Sequence, residues 1–168
     1  MNRKQYIAND TLALVEYCID QDVKAEYDCW QDPDTQKGYN FQMDMDYEKF
    51  KNRPVRSRFR AVILRKEDGA IIGFISLSPE QRPPDLAIML LKEYRGHGYG
   101  TAAFSLALQY CFDAFGLDKI NAGCYEGNIA SLKMLQKCGF VPYPEGNEEE
   151  EHYLTGLPIT QYDYVKMR

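Results

Sequence analysis

Apolar residues follow several distinct rhythms along this chain. Over residues 10–31, and again over 44–52, they fall at helix-like intervals, which predicts two short helices. Asp10 or Thr11 is placed to cap the first, and Pro54 bars the second from continuing. The intervening WQDPDTQKGYNFQMD mixes turn formers with aromatics and reads as a loop. In SRFRAVILRKEDGAIIGFISLS, two apolar runs flank Asp68-Gly69. That predicts a β-hairpin closed by a type I′ turn, with positive φ at both central residues. DLAIMLL, residues 85–91, reads as a third consecutive strand, set off by Pro83-Pro84.

A long helix is predicted from Tyr99 to Phe115, with Gly116 at the position that ends it. A strand follows over residues 119–125, then a helix with Asn128 as N-cap and Gly139 as terminator. FVPYPEG and TQYDYVKMR form a closing strand pair around the acidic run Glu148–Glu151, which reads as a solvated turn. The order is ααβββαβαββ, with no repeat, low-complexity tract or linker. This describes one α/β domain over residues 1–168.

Composition narrows the picture. With 45% apolar and 27% charged residues the chain is globular, and no apolar run approaches the roughly 20 residues of a membrane helix. The N-terminal stretch lacks the layout of a secretory signal, which points to the cytoplasm as the expected location. Five scattered cysteines without a CxxC pair, and only two histidines, make a metal site unexpected. A net charge of −5 argues against nucleic acid as a partner and suits cationic small molecules or basic peptides. It equally serves solubility.

Chemistry concentrates at RGHGYG, where Gly96, Gly98 and Gly100 alternate directly before a helix. Glycine inside a helix costs about 1 kcal/mol relative to alanine. A strand that feeds a glycine-rich turn into a helix N-terminus, however, presents unpaired N–H groups and a positive dipole end to an anion. Arg95 adds charge at the entrance. Neither a Walker A ending nor a dinucleotide fingerprint after a first strand fits this stretch. A phosphate group is the expected ligand.

These residues resemble a known signature. RGHGYG is similar to the Arg/Gln-x-x-Gly-x-Gly/Ala motif of the GNAT superfamily of acetyl-CoA-dependent N-acetyltransferases. NIASLKMLQKCGF resembles the Asn-x-x-Ser…Gly-Phe segment of its ribosomal-protein and polyamine branch. The resemblance implies a central mixed, mostly antiparallel sheet flanked by helices, its fourth and fifth strands splayed around the pantetheine arm. It implies that acetyl-CoA is the cosubstrate. Backbone groups of Ile88, Met89 and Leu90 would contact the arm. Arg95 and the amides of Gly96, His97, Gly98, Tyr99, Gly100 and Thr101 would cradle the pyrophosphate. Asn128 either contacts the cofactor or simply caps its helix.

The implied reaction moves acetyl directly to a primary amine, either a protein N-terminus or a small amine such as a polyamine. A protonated amine must first lose a proton. Asp85 is the candidate base, near the position of a catalytic glutamate in relatives, although a solvent-facing strand-edge role explains it equally. Glu126 is the second candidate. Ser131, at the hydroxyl position of the motif, is the candidate acid for the leaving thiolate. Leu135 stands where some relatives carry a tyrosine, which leaves Tyr125 or water as alternatives. The oxyanion would take a backbone N–H near Met89. His97 reads as a solvated spacer and Cys124 as core.

Acceptor specificity is expected from Tyr27, Trp30, Tyr39 and Phe41 with Asp28, Asp32 and Asp34, residues that ordinary packing and capping also explain. A non-catalytic acyl-CoA sensor on the same fold is the rival reading. Exposed strand edges at the C-terminus allow a homodimer.

Overall fold

The computed structural model describes residues 3–79 and 83–168; residues 1–2 of the N-terminal stretch read for a leader, and 80–82 before Pro83, lie outside them. The chain opens with β1 (Gln5–Ala8) and β2 (Leu12–Glu16), then three helices, α1 (Ile19–Gln31), α2 (Pro33–Tyr39) and α3 (Tyr47–Asn52). β3 (Phe59–Arg65), β4 (Ile71–Leu77) and β5 (Leu86–Leu90) lead into α4 (Tyr99–Phe115). β6 (Lys119–Tyr125), α5 (Ile129–Lys137), β7 (Val141–Pro142), β8 (Glu148–Glu151) and β9 (Pro158–Met167) complete it.

Three expectations are corrected here. The predicted first helix over residues 10–31 begins as a strand, and only Ile19 onward is helical. Neither Asp10 nor Thr11 caps it; instead the Asn9 carboxamide accepts from the Thr11 and Leu12 N–H groups and turns β1 into β2. The predicted loop after Trp30 contains α2, whose N-cap Asp32 accepts from the Thr35 N–H ahead of Pro33 at the first helical position. The acidic run Glu148–Glu151 is a strand paired antiparallel to β9. A fourth difference is local: the β3–β4 hairpin forms, but its loop is longer than a type I′ turn. It closes through Gly69 N–H to Arg65 O and Arg65 N–H to Ala70 O, with only Gly69 at positive φ.

The strands form two sheets. β1 to β5 lie in sequential antiparallel order, and β6, β9 and β7 make a second sheet that β8 extends. Leu12, Leu14, Ile63, Ile75 and Leu86 pack with Phe104, Ala107 and Cys111 of α4. The opposite face, carrying Val15, Val62 and Phe74, packs on Cys29 of α1. The result is a mixed α+β fold with a mostly antiparallel sheet between helices. Among the described residues, no helix is long and apolar enough to cross a membrane.

One junction positions the site. β5 and β6 run parallel and meet at a bridge, Asp85 beside Asn121, with the Asn121 N–H donating to Pro84 O at 2.9 Å. Beyond it β6 pairs with β9 and leaves β5. The open edge of β5 therefore faces a widening gap.

Candidate active site

The register of β5 decides which of its backbone groups face that gap. Leu91 N–H donates to Ile72 O at one end, and Ser78 N–H to Asp85 O at the other. Phe74 faces Met89 between them without a register shift. Odd-numbered residues therefore bond to β4, and even-numbered ones point outward. This relocates one expectation: the Met89 N–H and C=O are directed at β4, and Ile88 and Leu90 present theirs to the gap. Gly73 makes the close pairing possible, since a Cβ there would overlap Met89 O.

Both outward carbonyls are held from α2 and the following loop. The Tyr39 hydroxyl donates to Ile88 O at 2.7 Å, and burial pushes its phenol pKa up. Leu90 O accepts from Arg95 Nε and Nη2 at 3.0 and 2.9 Å. The same guanidinium reaches Thr35 Oγ1 at 2.7 Å and Asp32 Oδ2 at 2.7 Å. Burial alone would raise Asp32, but hydrogen bonds from Arg95 and the Thr35 N–H outweigh it and hold the carboxyl below its ordinary value. The Arg95 side chain is thus committed to α2 and β5 and not to the glycine loop.

The loop itself is an amide cradle. Gly96 and Gly98 take φ of 78° and 82°, a left-handed conformation that a side chain would strain. Gly98 is the N-cap of α4 and offers no side-chain acceptor, and the first helical bond runs from Ala102 N–H to Gly98 O. Among the described residues, the amides of Gly96, His97, Gly98, Tyr99, Gly100 and Thr101 find no protein acceptor. Gly96, His97 and Gly98 are exposed, and the His97 ring stacks on Tyr99. A row of free donors at the positive end of a 17-residue helix fits a pyrophosphate, and the open edge of β5 fits an amide-bearing arm.

Asn128 caps α5: its Oδ1 accepts from the Ser131 N–H at 3.1 Å, and its Nδ2 lies against Gly38 of α2. Ser131 is half-buried on the same helix stripe as Leu135 and Cys138, and Cys138 Sγ reaches Thr101 O in α4. Glu126 is exposed. The Tyr125 hydroxyl donates to Glu150 at 2.9 Å, and burial, then that bond, push its pKa up to about 12. Cys124 is buried, which raises its thiol pKa. Asp85 sits at the apex of the gap, where burial, then the charges of Asp163 and Glu148, push it up to about 6.

The aromatic group expected to shape the acceptor region is partly assembled, with Trp30 packing on Tyr39 and Phe41. Tyr27 instead packs on Tyr47 and Phe50. Its companion carboxylates are occupied: Asp28 pairs with Lys24, and Asp32 and Asp34 with Arg95. The carboxylates that do gather near Asp85 are Glu148 and Asp163, which the sequence reading passed over. The available signal was period-two alternation across the acidic run and across TQYDYV, which puts alternate residues on one sheet face.

Known proteins frame this geometry. The acetyltransferase (GNAT) domain family model matches residues 5–141. The chain is 31% identical over 105 residues to the uncharacterized N-acetyltransferase YoaA of Bacillus subtilis (strain 168), spanning 61% of this chain and 58% of that protein. It is 26% identical over 110 residues to the spermidine N(1)-acetyltransferase of Vibrio cholerae, spanning 66% and 62%. The chain thus covers less than two thirds of either relative's length.

Among solved structures, the spermidine N-acetyltransferase from Vibrio cholerae in complex with CoA and spermine superposes with a TM-score of 0.82 at 18% identity, covering 95% of this chain and 96% of that one. The ribosomal-protein-S5-alanine acetyltransferase from Vibrio fischeri gives 0.77 at 21% identity, covering 96% and 95%. At such identities these two share the fold. With most of its length matched by the family model, the chain belongs to the GNAT acetyltransferase family.

Proposed function

We propose that this chain is an acetyl-CoA-dependent N-acetyltransferase that passes the acetyl group directly to a primary amine within a ternary complex. The observation that carries the reading is the row of free amides from Gly96 to Thr101, aligned with the open edge of β5. Relatives named for spermidine and for a ribosomal-protein alanine support an amine acceptor.

Acetyl-CoA supplies an activated acyl thioester. The cradle amides hold its diphosphate, and the outward N–H groups of Ile88 and Leu90 align the arm and donate to the thioester carbonyl. Asn128 organises the first turn of α5 at the mouth of the gap. Arg95 and Tyr39 are positioning residues that fix the strand edge through its carbonyls.

Asp85 takes the proton from the incoming ammonium. A carboxyl raised to about 6 ionises near neutrality while keeping more proton affinity than an ordinary aspartate. The amine nitrogen then bonds to the acyl carbon and gives up its second proton as the C–S bond breaks, and that proton is relayed to the departing thiolate. Ser131 is the donor this reading favours, because the Tyr125 hydroxyl is engaged with Glu150. Detection of an N-acetyl product by mass spectrometry, from acetyl-CoA and an amine, tests the proposal. Acetyl-CoA that binds and stays intact beside every amine supports the sensor reading instead.

A further inference from the structure

The polar face of the second sheet, beside the apex of the gap, carries the carboxylates of Glu148 and Asp163 alongside the carboxamides of Asn121 and Gln161. Asn121 and Asp85 are bridge partners, and Gly123 pairs with Asp163, so their side chains share one face. Glu148 joins that face through its pairing with Gln161, the partner of Tyr125. Asp163 is set into a notch between Gly123 and Gly146. Above Gly123 a Cβ would overlap the Gln161 carboxamide and meet Asp163 Oδ1 at 3.3 Å, and one at Gly146 would overlap the Asp163 carboxylate.

Two observations separate this face from an ordinary acidic surface. First, no ion pair among the described residues involves Asp85, Glu148 or Asp163, whereas Asp22, Glu26 and Asp32 all have an arginine. Second, Asn121 is only 7% exposed, and its Oδ1 is buried without a hydrogen-bond partner among the described residues. An amide oxygen orphaned in this way is a net cost to the fold, and its carboxylate neighbours have no proton to give it when ionised. A ligand bearing N–H donors and positive charge would satisfy all of them. Among the described residues no three His, Cys, Asp or Glu side chains are grouped so as to hold a metal ion. A flexible organic cation matches that spread.

From this geometry we infer a second ammonium subsite, formed by Asp163, Glu148 and the Asn121 Oδ1, which selects linear alkyl diamines and polyamines over monoamines. The inference rests on the reading above that the reacting amine lies beside Asp85. One end of the acceptor meets Asp85 at the apex while the other is held over β6 and β9. Glu150 is the fixed rim of this site, already accepting from Tyr125 and from Asn40 Nδ2 at 3.2 Å.

Calorimetric titration of the CoA-loaded protein with 1,5-diaminopentane and with pentylamine, at low salt and neutral pH, tests the subsite. The diamine is expected to bind about tenfold more tightly, and Asp163→Asn to reduce that preference to about twofold. Glu148→Gln, on an exposed strand, is expected to halve the preference or more, and it serves if Asp163→Asn fails to fold. Equal affinity for the two ligands in the wild type, or a preference that survives both substitutions, would overturn the subsite. Acetyl transfer that proceeds equally to both amines, with equal binding, would remove the subsite and leave the acetyltransferase reading standing. Selective diamine binding with no transfer to any amine would do the reverse.

Discussion

The Tyr39 hydroxyl donates to the Ile88 carbonyl at 2.7 Å, so the last residue of α2 closes one of the two outward carbonyls on the splayed edge of β5. The first turn of α2 closes the other indirectly, because Arg95 links Leu90 O to Thr35 and Asp32. A seven-residue helix is thereby tied at both ends to the strand along which the cofactor arm is proposed to lie.

Tyr39→Phe removes the donor and keeps the ring packed on Trp30 at 5.0 Å. It is expected to cost about 1–2 kcal/mol, read from a urea unfolding midpoint, because a sheltered carbonyl loses its partner. No change in midpoint would mean that solvent replaces the hydroxyl freely.

Arg95→Gln separates two roles for the arginine. The ion pair is partly sheltered, with side-chain exposures of 30% and 13%, so its loss is expected to cost about 1–3 kcal/mol of stability. Cofactor affinity of the folded variant should change by less than about threefold, since the guanidinium is engaged by Leu90 O, Thr35 and Asp32. A tenfold loss of CoA affinity at unchanged stability would return Arg95 to the phosphate.

Gly98→Asp and Gly98→Asn place side chains of equal size on the same left-handed residue, a conformation both tolerate better than most. They differ in charge. The aspartate variant is expected to bind CoA at least about tenfold more weakly than the asparagine variant. Equal affinities by calorimetry would show that no anion sits against these amides.

Asp85, as the proposed base, would link activity and stability through pH. Its folded-state pKa, about 6, is raised above the unfolded value of about 4. Its stabilising contribution is therefore present below about pH 4 and is lost as pH rises through about 6. Asp85→Asn should consequently stabilise the fold at pH 8 and not at pH 4, by on the order of 1 kcal/mol after solvent screening. In kcat/KM it should abolish the ascending limb near pH 6 along with most of the turnover. A variant destabilised at pH 8 would contradict the assignment of a repelled carboxylate.

Much of the fold was legible where glycine or asparagine punctuates it. The helix from Tyr99 to Phe115 and the strand from Lys119 to Tyr125 have the predicted limits, because Gly98 and Gly116 leave the right-handed region at the helix ends. Leu12–Glu16 was not legible. It is apolar at four successive positions and buried on both faces, so it lacks the alternation that marks a strand and merges with the helix after it. At Asp32-Pro33 a turn signal and a helix start use the same residues, and only contact with Arg95 and β5 decides between them.

The cradle could be read because local backbone geometry creates it. The outward role of Ile88, in place of Met89, depends on which residues of β4 lie opposite, and that is a long-range pairing. The Asp163 and Glu148 carboxylates were hidden for the same reason. Only the pairing of β6, β8 and β9 brings them beside Asp85.

Acetyl transfer is read most simply as release of free CoA thiol from acetyl-CoA, measured for the wild type and Asp85→Asn against spermidine, amino acids, aminoglycosides and short peptides. Release is expected to depend on an amine, with spermidine among the acceptors, and to fall at least about a hundredfold in Asp85→Asn at neutral pH. Thermal stabilisation by acetyl-CoA with no thiol released for any amine would contradict that expectation.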